Sequence, residues 1–291
     1  MRAASIDLGT NSTRLLVADV DADGLREVAS RSVVTRLGEG VDRTGRLGGA
    51  GMSRVLAVLA DYVTLMDELQ VEARVGVLTS AGRDAANGAE FAALISDQHG
   101  VPTRVLSGDE EATVTFGGAT SGARDTGTVV VLDVGGGSTE IAVGADGVLA
   151  GHQSLQLGVV RQTERFLHAD PPTGEELAAL RREAAALLQS SSRVIAAGTT
   201  LAVGGTPVTC QAMLGSPTIT RADCEELLLD LAALPLAERR AVPGLHPDRA
   251  PAIVAGLAIH LELLTAIGAS SFTVCERDLR HGAVLALASA M

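Results

Sequence analysis

The chain has 291 residues, 35 acidic and 23 basic side chains, and a formal net charge of −12. Every basic residue is arginine, tryptophan is absent and Tyr62 is the single tyrosine. Without lysine there is no Schiff-base or pyridoxal-phosphate chemistry and no Walker-type phosphate lysine. The acidic balance and scarce aromatics argue against nucleic-acid binding.

In chain order, Ala3 to Ile6 predicts a strand that begins at once, with no signal-peptide pattern. Residues 6–14 read Ile-Asp-Leu-Gly-Thr-Asn-Ser-Thr-Arg. A strand from Leu15 to Val20 follows and runs into an Asp23-Gly24 hairpin turn. Next come a strand (Ala73 to Leu78), a helix (Asp84 to His99), a strand (Thr103 to Leu106) and a helix from Glu110. Gly117 to Thr128, rich in Gly, Ser, Thr and Asp, reads as a linker. The strand Thr128 to Leu132 leads into residues 132–140, Leu-Asp-Val-Gly-Gly-Gly-Ser-Thr-Glu. Ile141 to Val143 is again a strand, ending at an Asp146-Gly147 turn. Thr173 to Ser190 predicts a helix. Arg193 to Ala196 and Leu201 to Val203 predict strands. Thr206-Pro207 opens a helix with Thr206 as N-cap. The longest apolar run, Ala250 to Gly268, contains His260 and Glu262 and reads as a buried helix rather than a membrane span. Ser271 to Val274 is a strand and Gly282 to Ala290 a closing helix. The alternation is α/β in two lobes, placed at 1–122 and 123–291, with a last helix that can pack back on the first lobe. The three cysteines, Cys210, Cys224 and Cys275, are odd in number and lack CxxC spacing, which points to a reducing, cytoplasmic setting.

The two nonapeptides align without gaps. Asp7 meets Asp133, Gly9 meets Gly135, Ser12 meets Ser138 and Thr13 meets Thr139. A Gly-rich turn alone is an ordinary tight hairpin. Two matched copies at the heads of two lobes point instead to paired anion nests, Thr10-Asn11-Ser12 and Gly135 to Ser138. The aspartate at each strand end suits Mg2+ beside phosphate oxygens. The copies differ where Arg14 stands for Glu140: a cation can clamp phosphate, and an anion can orient metal-bound water. Arg83 lies at a strand-to-helix turn, as phosphate binder or as surface partner of Asp84. Asp109, Glu110 and Glu111 crowd a first helical turn, where acids favour the helix dipole and one could also be a catalytic carboxylate. Gly204-Gly205-Thr206 is a further phosphate candidate or a plain βα turn. Asp19 to Gly24 resembles the start of a calcium loop but has Ser30 at the twelfth position. Cys275 to Arg280 is one residue short of a Cys-x5-Arg phosphatase loop.

These residues resemble the exopolyphosphatase / guanosine pentaphosphate phosphohydrolase (Ppx/GppA) family. The motifs that carry it run the whole chain: IDLGTNSTRLLVAD, TSAGRDAANGAEF, SGDEEA, VLDVGGGSTEIAVG, SLQLGVVRQTERF, VGGTPVTCQAM and PGLHPDRAPAIVAGLAI. The resemblance implies two actin-like ATPase (ribonuclease H-like) domains with an inter-domain active-site cleft. By the same resemblance Glu111 is the base that activates water. Asp133 and Glu140, with Asp7, hold Mg2+ or Mn2+. Arg14, Arg83, the Gly135 to Ser138 loop and Arg249 bind phosphate. The substrate implied is inorganic polyphosphate, with guanosine pentaphosphate of the stringent response as alternative and a homodimer as assembly. A non-hydrolytic sensor and a sugar or acetate kinase are the rival classes. The family's late signature resembles Ser-Asp-x-Gly-Leu-Arg-Glu-Gly. Here Cys275 to Gly282 has Asp278 in place of the glycine and His281 in place of the glutamate.

Overall fold

The computed structural model describes residues 1–122, 127–189 and 198–290. The chain divides into two compact units, Met1–Ala123 with Arg277–Met291, and Arg124–Glu276.

In the first unit β1 (Arg2–Leu8), β2 (Ser12–Asp21) and β3 (Gly24–Val34) form an antiparallel meander. The short α1 (Val41–Thr44) and long α2 (Gly49–Glu68) lead to β4 (Ala73–Leu78), parallel to β1. Then come α3 (Ser80–Asp84), α4 (Gly88–His99), β5 (Thr103–Val105) and α5 (Gly108–Thr120). The sheet order is β3-β2-β1-β4-β5. Alternation along the strands sorts the core. Ala4, Ile6, Leu15 and Val17 pack with residues of α2 and α4, while Ala3, Leu16 and Ala18 pack on Val284 of the last helix. The α2 helix is long and apolar enough to cross a membrane by length and composition. Its stripe Val55, Leu59, Tyr62 and Met66 is buried in this core, and Ser53, Asp61, Asp67 and Glu68 face outward, as in an amphipathic core helix.

The second unit repeats the plan. A meander of β6 (Thr128–Val134), β7 (Thr139–Ala145) and β8 (Val148–Leu155) is followed by α6 (Val159–Phe166) and α7 (Gly174–Gln189). Next are β9 (Thr199–Val203), parallel to β6, then α8 (Gly205–Leu214), β10 (Thr218–Thr220), α9 (Arg221–Ala233) and α10 (Leu236–Arg239). The almost wholly buried α11 (Ile253–Ile267) and β11 (Ser271–Val274) complete it. The sheet order is β10-β11-β9-β6-β7-β8. Read as β8-β7-β6-β9-β11, it matches the first sheet strand for strand, with β10 added at the edge. This is the duplication that the paired nonapeptides imply, and it fits the two actin-like domains that the family resemblance implies. The chain then returns to the first unit as α12 (Leu279–Ser289).

Several boundaries differ from the sequence reading. The helix expected over Asp84 to His99 is two helices, broken at residues 85–87, where Asn87 binds both backbone groups of Leu47 (2.8 and 3.1 Å). Gly204, at φ 97°, caps α8 in place of Thr206, which lies inside the helix. The closing helix starts at Leu279 because Asp278 caps it. The first part of the expected linker is the end of α5. The strand expected over Arg193 to Ala196 lies outside the described residues.

Candidate active site

Glu111 is placed by the capping of α5. Ser107 accepts from the Glu110 amide (3.1 Å), and the Glu110 carboxylate accepts from the Ser107 amide (2.9 Å). That bond to backbone, with the Ser107 and Arg104 contacts, holds Glu110 below the usual carboxylate range. The next residue therefore turns inward: Glu111 is 6% exposed. Arg83, from the last turn of α3, donates through Nη1 to Glu111 Oε2 (2.7 Å) and to the Leu106 carbonyl (3.0 Å). The dipole reading suits Asp109 and Glu110, and Glu111 stands apart from it.

The two hairpins are built alike. Gly9 donates to the Ser12 carbonyl at 3.0 Å, and Gly135 to the Ser138 carbonyl at 2.9 Å. In the second loop the carbonyls of Gly135 and Gly136 accept the first amides of α6, and Gly137 O accepts from Arg161 Nε. Because a trans peptide points N–H opposite to C=O, the amides of Gly136, Gly137 and Ser138 are aimed away from α6. Three neighbouring amides so aimed form an anion nest. In the first loop Thr10 and Asn11 carbonyls accept from Gly38, Thr35 and Arg36, which turns the Asn11 and Ser12 amides outward by the same rule.

Beside each nest the strand ends pair across the ladder, Asp7 opposite Arg14 and Asp133 opposite Glu140. Glu140 is buried and accepts from Ser154 Oγ at 2.8 Å, a partner that no sequence signal marks. Asp133 lies next to Gly204, and a Cβ added at Gly205 would run into the Arg249 guanidinium. Arg249 thus lies at the start of α8, close to the residue beside Asp133. In the first unit Arg14 is held by acids on two sides. Its Nε and Nη2 donate to Asp7 Oδ2 (3.0 and 2.5 Å), and Nη1 donates to Asp278 Oδ2 (2.6 Å). Burial pushes Asp7 up against the opposing pull of Arg14. Burial acts on Asp278 too, but Arg14, His281 and Arg280 outweigh it and hold that carboxyl far below its ordinary value.

The chain matches the Ppx/GppA phosphatase family over residues 16–290. It is 36% identical over 315 residues to "Exopolyphosphatase 2" of Mycobacterium tuberculosis, covering 99% of this chain and 98% of that one. Its fold superposes on the crystal structure of the Aquifex aeolicus Ppx/GppA family member with a TM-score of 0.82, at 30% identity, covering 100% and 98% of the two chains. An exopolyphosphatase-like protein of known structure gives a TM-score of 0.91 at 32% identity, with 98% and 97% covered. The chain belongs to the Ppx/GppA phosphatase family. It is accordingly a phosphoanhydride hydrolase.

Ppx/GppA membership implies a divalent-metal requirement, and the residues fit one. Asp7 Oδ1 is buried with no hydrogen-bond partner among the described residues, as an oxygen meant for a cation would be. In the second unit Asp133 and Glu140 offer hard oxygen donors of their own. Among the described residues no three acids, histidines or cysteines gather into a metal-holding group.

Proposed function

We propose that this Ppx/GppA protein is an exopolyphosphatase that releases orthophosphate from the end of inorganic polyphosphate, with Mg2+ as its metal. The observation that carries this reading is the Arg83–Glu111 pair: a buried carboxylate held in place by a cation suited to phosphate. The M. tuberculosis relative named exopolyphosphatase, similar over nearly the whole of both chains, supports the substrate.

In this mechanism the outward amides of the first hairpin loop and Arg83 orient the terminal phosphoryl group. Glu111 accepts a proton from water as the water oxygen bonds to the terminal phosphorus. The anhydride P–O bond breaks, and its electron pair leaves on the shortened chain. Each unit has its own carboxylates that would hold Mg2+, Asp7 in the first and Asp133 with Glu140 in the second, and the cation would offset charge on the phosphate oxygens. No covalent enzyme intermediate is needed. Buried thiols at Cys210 and Cys224 fit a cytoplasmic setting.

Phosphate release with Mg2+ or Mn2+, measured on short polyphosphate, long polyphosphate and guanosine pentaphosphate, tests the reading. Polyphosphate should be the better substrate. Glu111→Gln should lower turnover roughly 10²–10⁴-fold while leaving binding near wild type. Faster release from guanosine pentaphosphate would make the protein a nucleotide phosphohydrolase, and tight binding without turnover would make it a sensor.

A further inference from the structure

We propose that Asp278 is a positioning residue that tethers Arg14, and so sets how strongly the first hairpin attracts a polyanion. This rests on the reading of that hairpin as a polyphosphate contact. Asp278 stands where the signature that this stretch resembles has glycine, and it is a buried charge, 3% exposed.

The two oxygens of Asp278 share Arg280 Nε (3.1 Å to Oδ1, 3.2 Å to Oδ2), but Oδ1 takes the helix cap and Oδ2 takes Arg14. Oδ1 caps α12, accepting from the Arg280 amide at 3.0 Å. Oδ2 accepts from Arg14 Nη1 at 2.6 Å, 264 residues away in sequence. Arg280 in turn donates to the Leu15 carbonyl (3.3 Å) and Ser30 Oγ (2.9 Å), which fixes the cap against β2 and β3. Asp7 and Asp278 face Arg14 and Arg280, so within this buried set the formal charges balance. With glycine at 278 the same set would carry one surplus positive charge, and Arg14 would lose the Asp278 carboxylate. An arginine gripped by two carboxylates gives less to a phosphate than one gripped by a single carboxylate, because each charge-assisted bond must be loosened before another forms.

Capping and tethering can be separated by substitution. In Asp278→Asn the amide oxygen can still cap α12, but the –NH2 group meets Arg14 donor to donor and cannot hold it. The Glu111→Gln background keeps the probe from being consumed, and binding of tripolyphosphate is then read by calorimetry at several salt concentrations. Asp278→Asn should tighten Kd roughly tenfold, the size of one charge-assisted hydrogen bond gained, with a steeper salt dependence. In an Arg14→Met background the same substitution should change Kd by little, since the tethered group is gone. An unchanged Kd, a change that persists without Arg14, or no tripolyphosphate binding in any variant would each overturn the proposal. If Asp278→Asn fails to fold, Asp278→Ser keeps one capping oxygen and serves in its place. Binding is read without turnover, so an inert wild-type enzyme would count against the hydrolase reading and leave this inference standing.

Discussion

At the scale of single residues, Glu110 and Glu111 show what a sequence conceals. They are adjacent acids in one first turn, and only helix phase separates them. Once Ser107 caps α5, Glu110 folds back onto the backbone and Glu111 faces Arg83. Glu110→Gln should therefore keep turnover within about twofold of wild type, as for an exposed capping group, and parallel phosphate-release assays of the two glutamine variants would expose any swap of roles. Arg83→Ala should raise KM roughly tenfold by removing one charge-assisted contact to phosphate; an unchanged KM would leave Arg83 with Glu111 as its whole purpose. The Arg14/Glu140 exchange was legible from aligned nonapeptides. The hold on Arg14 was not, because its second carboxylate arrives from the far end of the chain.

At the scale of elements, local chemistry made the two hairpins readable: a strand, a glycine turn and a strand, twice. Asp146 and Gly147 both take positive φ (52° and 76°), as the two-residue turn between β7 and β8 requires. Where tertiary contact decides, the reading failed. The break at 85–87 has one local mark, the Asn87-Gly88 dipeptide, and is fixed by the bonds from Asn87 to Leu47, which lies far off in sequence. The α2 helix is absent from the sequence reading although Val55, Leu59, Tyr62 and Met66 recur at near-helical spacing, with Ser53, Asp61, Asp67 and Glu68 on the exposed face. Helix α12 packs so closely on α5 that a Cβ at Gly118 would strike the Asp278 carbonyl, and one at Gly282 the Val114 carbonyl. Backbone cannot yield as a side-chain tip does, so Gly118→Ala or Gly282→Ala should cost about 3 kcal/mol and shift α5, and Glu111 with it. Gly174→Ala, whose added methyl meets nothing within 4 Å, is the control and should melt with the wild type.

At the scale of the whole molecule, each unit buries ionisable groups of a different kind, and acid should reach one unit first. In the core of the second unit His260 is fully buried against Phe272, with ring centroids 5.4 Å apart. Its Nδ1 bonds the Gly256 carbonyl at 2.7 Å, and its Nε2 finds no partner among the described residues. Burial pulls its pKa from 6.5 down to about 4. The folded state thus prefers the neutral ring, and the unfolded chain takes up a proton first as pH falls. Stability is complete above about pH 6.5 and declines toward pH 4, by about 3 kcal/mol in all, with no further loss below. In the first unit the depressed Asp278 loses its contribution only at far lower pH, while protonation of the raised Asp7 relieves a cost and acts in the opposite sense. Between pH 6.5 and 4 the second unit should loosen while the first holds. Hydrogen exchange, corrected for intrinsic rate, should show α11 losing protection at pH 4.5 while β1 and β2 keep theirs. His260→Leu, which keeps the volume and removes the titrating ring, should abolish that loss. If α11 in the leucine variant still opens with acid as the wild type does, the source of the sensitivity is another group in the second unit.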